Sequence, residues 1–261
     1  MSDYKDRAWI HSFFGGKRNF YKEAYEAMGS FSEEQTEREV DGILKILKPE
    51  KGAHILDWCG GWGRHSIPLA KRGYKITLLD FCPEYLEQAK VYAEKEDVQI
   101  ETVHCDFRET PASVQADFAI NLFTAGLGYL GDEGDAFALK SLFHALKPYA
   151  KVLIDTVSLF GYAKNYEENN WKLSPDGQKR YLQKRTFNFW NNFQYEVNTF
   201  QEVATRNEES AEVQLKIYCP ADLSRILKSA GFAPQELFGN VNGSKFDFDS
   251  RRLVMTAQKP K

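Results

Sequence analysis

The stretch Asp57-Trp-Cys-Gly-Gly-Trp-Gly-Arg-His65 gathers the residues of this chain best suited to hold a ligand. Gly60, Gly61 and Gly63 let backbone N–H groups approach a bound molecule closely, because no Cβ intervenes. Asp57 closes a short apolar run, His54-Ile-Leu-Asp57, that reads as a strand. Two later apolar runs end the same way. Thr77-Leu-Leu-Asp80 places a carboxylate able to accept both hydroxyls of a ribose. His104-Cys-Asp106-Phe107 places one able to accept from an adenine amino group, with an aromatic ring beside it. The glycine turn by itself also fits a dinucleotide site or a plain structural turn.

Charge separates these ligands. The dinucleotide fingerprint asks for G-x-G-x-x-G/A, whereas Gly61-x-Gly63-x-x here meets Ser66. A pyrophosphate favours N–H donors with no carboxylate nearby, while an amino-acid ammonium favours the carboxylate. Asp57 therefore points to S-adenosyl-L-methionine as cofactor rather than a nicotinamide dinucleotide.

The elements that must position these residues follow from periodicity. Strands are expected at Ala53–Trp58, Tyr74–Leu79, Val98–His104, Phe118–Phe123 and Lys151–Val157. Helices are expected at Trp62–Arg72, Pro83–Glu94 and Ala136–Leu146, the second with proline in its first turn. Such alternation means βαβ units on a parallel sheet. Before it, Ser32-Glu-Glu-Gln35 resembles a capping box, followed by a helical stripe of Val40, Ile43, Leu44 and Leu47. Residues 158–218 break the pattern: Arg185-Thr-Phe-Asn-Phe189 and Val213–Tyr218 alternate like half-covered antiparallel strands. A helix at Pro220–Ala230 and strands at Gln235–Gly239 and Leu253–Gln258 complete the chain. The expected division is an N-terminal helical cap (1–50), an α/β core (51–157 and 219–261) and an antiparallel β insertion (158–218).

Asp57-x-Cys-x-Gly-x-Gly63, Leu79-Asp80, Cys105-Asp106-Phe107 and Leu146-Lys-Pro148 resemble, in order, the motifs of class I S-adenosylmethionine-dependent methyltransferases. Cys59-Gly-Gly-Trp-Gly-Arg-His65, Asn121-Leu-Phe-Thr124 through Gly128-Tyr129, and Arg251-Arg252-Leu-Val resemble a bacterial small-molecule subgroup whose pattern runs CCGxGRHS, NxFTSFGYF, SPRL. The likeness spans nearly the whole chain. It implies a Rossmann-like α/β fold with a seven-stranded, mostly parallel sheet, cofactor across the first turn, and the insertion before the last helix covering the acceptor site. The chain departs from the pattern at Cys59, at Pro148-Tyr149-Ala150 where Pro-Gly-Gly is usual, and at Ala125 and Leu127.

The cofactor site is thus expected to use Asp57, Cys59, Gly60, Gly61, Gly63, Arg64, Asp80, Phe81, Cys105, Asp106, Phe107, Asn121, Leu122 and Phe123. Arg18 is a candidate partner for the methionine carboxylate. Tyr4, Trp9, Phe13, Phe14, Phe20 and Tyr21 form either a lid favoured by a sulfonium near π faces or a packing arm. Methyl transfer is an in-line displacement in which positioning does much of the work, worth roughly 7–11 kcal/mol when alignment is good. A general base helps a hydroxyl more than an amine or carboxylate. Candidate catalytic residues are Tyr129, which would hold the acceptor or pack on the methionyl chain; Asp155, which would orient or deprotonate the acceptor or cap the strand; and His65. For His65 a structural role, or contact to the methionine carboxylate, outweighs proton transfer. His104 reads as a core histidine. No cluster has metal-ligand spacing, so no metal is expected.

Bulk properties set the frame. The 261 residues are 43% hydrophobic and 27% charged, enough for one sizeable α/β core with decoration. A net charge of -3 argues against a nucleic-acid surface. The four cysteines form no CxxC pair, no apolar run reaches membrane-span length, and Met1–Ile10 carries no signal-like apolar region. The expectation is a cytoplasmic enzyme acting on a small molecule, an amine slightly favoured. A Rossmann oxidoreductase, a non-catalytic S-adenosylmethionine-binding protein and a macromolecular methyltransferase are the competing readings. Aromatics of the insertion either wall the acceptor pocket or bury a homodimer contact.

Overall fold

The computed structural model describes residues 8–14, 20–22 and 32–261, and it divides into two compact units. The larger comprises Glu34–Lys164 and Tyr218–Lys261. Its strands are β1 (His54–Trp58), β2 (Lys75–Asp80), β3 (Glu101–His104), β4 (Ala116–Asn121), β5 (Leu146–Val157), β10 (Ala233–Phe238) and β11 (Arg252–Gln258). Its helices are α2 (Glu33–Leu47), α3 (Ser66–Lys71), α4 (Pro83–Lys95), α5 (Gly131–Ala145), α6 (Leu159–Lys164) and α7 (Pro220–Ser229). The seven strands lie in the order β10-β11-β5-β4-β1-β2-β3. All neighbours are parallel except β11, which runs antiparallel to both β5 and β10. The sheet is the mostly parallel seven-stranded α/β sheet that the sequence leads one to expect.

Strand order reverses between β1 and β4, and an open α/β sheet binds its ligands in the crevice outside the carboxyl ends at that point. Asp57 and Asn121, near or at the carboxyl ends of these two strands, therefore mark the site. Every residue of β1 is buried, as its central place requires. The stripe on α2 buries Val40, Ile43 and Leu47 against Ile55, Ile76 and Ile120; α2 stops where Lys48 turns left-handed (φ 49) ahead of Pro49.

Several boundaries shift. The helix expected from Trp62 begins at Ser66, because Gly61 and Gly63 hold left-handed φ values of 58° and 78° and wind residues 60–65 into turns. The third strand starts at Glu101 rather than Val98, while the fifth gains Leu146–Ala150 at its start. β4 ends at Asn121, which leaves Leu122 and Phe123 in the following loop. His104 is not a core histidine. It ends β3, an edge strand, where its ring is exposed and its Nε2 lies 3.0 Å from the Phe81 carbonyl oxygen.

The smaller unit comprises Met1–Glu33 and Asn165–Ile217. Helix α1 (Ala8–Phe14) packs on β9 of a four-stranded antiparallel sheet: β6 (Asn169–Leu173), β7 (Lys179–Asn188), β8 (Phe193–Glu202) and β9 (Glu208–Lys216). The first residues of the expected insertion form α6 rather than strand, and α2 groups with the larger unit. Along β8 the buried face alternates through Gln194, Glu196, Asn198 and Phe200. Glu196 is satisfied there by Gln183 Nε2 and Gln194 Nε2, each at 2.9 Å, and by Arg185. Phe20 stacks on Phe200 at 5.5 Å, and Trp9, Phe13, Phe14 and Tyr21 pack on one another at 4.9–6.5 Å. Phe189 and Trp190 stand exposed at the tip of the β7–β8 hairpin. Arg18 and Tyr4 lie outside the described residues.

Candidate active site

The first turn is built on Asp57. Its carboxylate is buried, accepts a 2.7 Å bond from Ser66 Oγ at the start of α3, and is pushed up in pKa by burial. Gly60 lies directly over it: a Cβ there would stand 2.4 Å from Asp57 Cγ and 2.4 Å from Leu78 Cδ1. Only glycine fits. Asp57 thus braces the turn from below. At Gly61, by contrast, a Cβ would meet nothing nearer than Tyr85 at 3.9 Å, so the open side of the turn is here.

Asp80 reaches back to the same turn. One oxygen accepts from Gly61 N and the other from Cys82 N, both at 2.9 Å. Burial raises its pKa to about 6, against the pull of those two backbone donors. A carboxylate has about four lone-pair sites, so capacity remains for a ribose diol. Asp106 also caps the 3-10 turn Phe107–Glu109, accepting from Arg108 N at 2.8 Å and from the Arg108 guanidinium. Phe107 packs on Trp58 at 5.2 Å, Cys105 N is tied to Asp80 O at 3.2 Å, and Phe81 is half-buried.

Cys59 adopts φ 64, a left-handed conformation that costs a non-glycine residue about 1–2 kcal/mol. Desolvation, then the carboxylates of Asp80, Asp106 and Asp57, hold its thiol well above the ordinary value.

Opposite the turn, the loop after β4 is strained and heavily braced. Phe123 and Thr124 are both left-handed, at φ 62 and 63, and such residues persist only where surroundings over-determine them. Asp155 does so: its Oδ2 accepts from Phe123 N and its carbonyl from Thr124 N, both at 3.0 Å. Thr124 Oγ1 accepts from Val157 N at 3.1 Å. Asn121 Nδ2 donates to Trp58 O at 2.8 Å and Ala125 O at 2.7 Å. A second buried carboxylate, Asp135, grips the far half of the loop. It accepts from Gly128 N and Tyr218 Oη, each at 2.6 Å, and burial raises it to about 7. Tyr129, itself buried, lies on this half.

Both candidate bases are engaged. Asp155 is 5% exposed and forms a fork with Arg252, Nε to Oδ1 and Nη2 to Oδ2, each at 2.8 Å. That pairing with two loop N–H groups makes it a brace rather than a proton acceptor. His65 Nε2 lies 2.8 Å from Glu39 Oε2, which also takes Arg64 Nη1 at 2.7 Å. Burial raises Glu39, but the His65 bond and the Arg64 charge outweigh it and leave the pKa at about 2. His65 and Arg64 therefore tie the glycine turn to α2. Glu39, Asp135, Tyr218 and the role of Arg252 escape a reading of single motifs, since each acts through a partner distant in sequence.

One polar atom here has no protein partner. Asn121 Oδ1 is buried, at the end of β4 beside the Trp58 carbonyl, and accepts no hydrogen bond. A buried acceptor of this kind calls for a donor, which an amino-acid ammonium supplies. The free side of Gly61, the spare lone pairs of Asp80 and this acceptor together fit S-adenosylmethionine. Among the described residues no group of three or more His, Cys, Asp or Glu side chains could hold a metal ion.

Comparison with known proteins agrees with this chemistry. Residues 55–149 match the family model described as a methyltransferase domain. The putative methyltransferase YqeM of Bacillus subtilis is 26% identical over 233 residues, covering 84% of this chain and 88% of that protein. The tRNA 5-carboxymethoxyuridine methyltransferase of Escherichia coli is 27% identical over 113 residues, and the match spans 42% of each protein. Among solved structures, an S-adenosylmethionine-dependent methyltransferase from Clostridium acetobutylicum superposes with TM-score 0.78 at 13% identity, covering 93% of this chain and 99% of that one. CalS10, an amino pentose methyltransferase from Micromonospora echinaspora, superposes with TM-score 0.67 at 17% identity over 94% and 98%. Sheet order and turn are those of the class I α/β methyltransferase fold, and residues 55–149 match a methyltransferase domain. The chain is an enzyme that uses S-adenosylmethionine as methyl donor.

Proposed function

We propose that the enzyme methylates an amine on a small molecule. The observation that carries this is the engagement of Asp155, locked to Arg252, while His65 is buried against Glu39. A hydroxyl acceptor gains most from a positioned base, whereas an unprotonated amine attacks a sulfonium without one. The cofactor supplies an activated methyl group; the protein's part is to align donor and acceptor and keep water out. In this reading Asp80 holds the ribose, Asp106 and Phe107 the adenine, and Asn121 Oδ1 with the turn backbone the ammonium. The loop residues Leu122, Phe123 and Tyr129 border the reacting methyl. CalS10, whose acceptor is an amino pentose, supports an amine by analogy of fold alone.

Release of S-adenosylhomocysteine, followed against pooled aminosugars, amino-acid derivatives, matched alcohols and bulk tRNA, tests the proposal. Turnover with primary or secondary amines is expected. Turnover confined to alcohols or to tRNA would overturn it.

A further inference from the structure

Arg252 makes more contacts with the braces of the site than its position on the last strand requires. Its Nε and Nη2 take the two carboxylate oxygens of Asp155, and Nη2 also reaches the Asp155 carbonyl at 3.2 Å. These are the same groups that hold the loop: Oδ2 accepts from Phe123 N and the carbonyl from Thr124 N. The guanidinium carbon further lies 5.4 Å from the centroid of the Phe123 ring. Arg64, paired with Glu39, lies 5.5 Å from the same centroid. One aromatic ring is thus held by two guanidiniums, each neutralised by its own carboxylate. All of this bears on two consecutive left-handed residues that no glycine relieves.

We infer that Arg252 is a positioning residue: through the Asp155 fork and the Phe123 ring it holds the loop after β4 in its left-handed turn, and so shapes the part of the cofactor site that receives the amino-acid arm. The inference rests on the assignment of that arm to Asn121 and the loop. Arginine is required by shape as well as charge. A planar fork satisfies both carboxylate oxygens and lies flat on a ring, and the ammonium of lysine does neither. Asp155 left without the fork still attracts Phe123 N, but its own orientation is no longer fixed. The adenosine end of the site, built on Asp80 and Asp106, shares none of these contacts.

Calorimetric titration of the full-length protein with S-adenosylmethionine and with 5′-methylthioadenosine, which lacks the amino-acid arm, separates the roles. Arg252→Lys is expected to weaken S-adenosylmethionine binding about tenfold, the scale of one lost hydrogen bond to a charged group. It should leave 5′-methylthioadenosine affinity unchanged, while the lost fork to buried Asp155 lowers the unfolding midpoint. Equal weakening of both ligands would make Arg252 merely structural and overturn the inference. Full affinity in Arg252→Lys but loss in Arg252→Gln would mean direct charge pairing with the ligand, and would also overturn it. Wild-type protein that discriminates neither ligand would instead remove the site assignment beneath.

Discussion

Cys59 and Gly126 share one small space. A Cβ on Gly126, itself at φ 77, would stand 2.8 Å from the Cys59 sulfur and 3.3 Å from the Phe107 ring. Gly126→Ala is therefore expected to destabilise the fold by about 2 kcal/mol through overpacking and left-handed strain. Cys59→Gly removes the obstructing sulfur and relieves its own φ 64, so the double variant should recover more than 1 kcal/mol of that loss. Urea denaturation of the single and double variants measures the coupling, and strict additivity would contradict the shared space. Asp135 gives a pH-dependent prediction. Its pKa is about 7 in the fold against an ordinary 3.8, so the folded state binds the extra proton. The stability it contributes is greatest below pH 4, declines as pH rises towards 7, and is flat above. Asp135→Asn should show a shallower fall between pH 4 and 7 than wild type in the same denaturation series. Three acidic strand ends were legible because each stands in a short local pattern. Their differing roles were not: Asp57 turns out to support the glycines from beneath, and Asp106 to cap its own turn, because both roles depend on where Ser66 and Arg108 come to lie.

The loop between β4 and α5 and the turn between β1 and α3 are fixed by elements remote in sequence. Glu39 on α2 binds both Arg64 and His65, with side chains 16%, 11% and 9% exposed. Removing one member of a largely buried ion pair leaves the rest uncompensated, at about 3 kcal/mol or more. Glu39→Ala is expected to lose that amount in chemical denaturation and to loosen the glycine turn, visible as weaker S-adenosylmethionine binding. Because Glu39 sits at about 2, below its ordinary 4.5, its contribution is full above pH 4.5 and is lost as pH falls through 2. The alternating helices and strands were legible from period alone. The start of α3 was not, since apolar residues at helical spacing run through glycines whose left-handed φ values forbid a helix there. The helix Leu159–Lys164 is illegible for a similar reason, six residues being too short to show a period. The elements of β7, β8 and β9 alternate as expected, but the polar face of β8, with Gln194, Glu196 and Asn198 buried, is set by partners on β7 rather than by hydrophobicity.

For the whole molecule, cofactor binding should raise stability by mass action. At a concentration of S-adenosylmethionine one hundred times its Kd the gain is about 2.7 kcal/mol, or roughly 5–10 °C in Tm for a chain of this size. Differential scanning calorimetry checks this, and NADH at the same concentration should produce no shift. No helix of the described residues is long and apolar enough to cross a membrane. The seven-stranded sheet has one feature with a consequence for biosynthesis. β11 is threaded between β5 and β10, and pairs with β5 from Arg252–Val157 to Gln258–Lys151, so an interior strand is the last of the seven to be synthesised. Until it is, β5 presents an unpaired edge and the loop after β4 has no clamp. A nascent chain stalled before residue 252 should therefore engage chaperones through that edge and fail to retain the methyl donor, so that competence arrives only as synthesis of the sheet is completed.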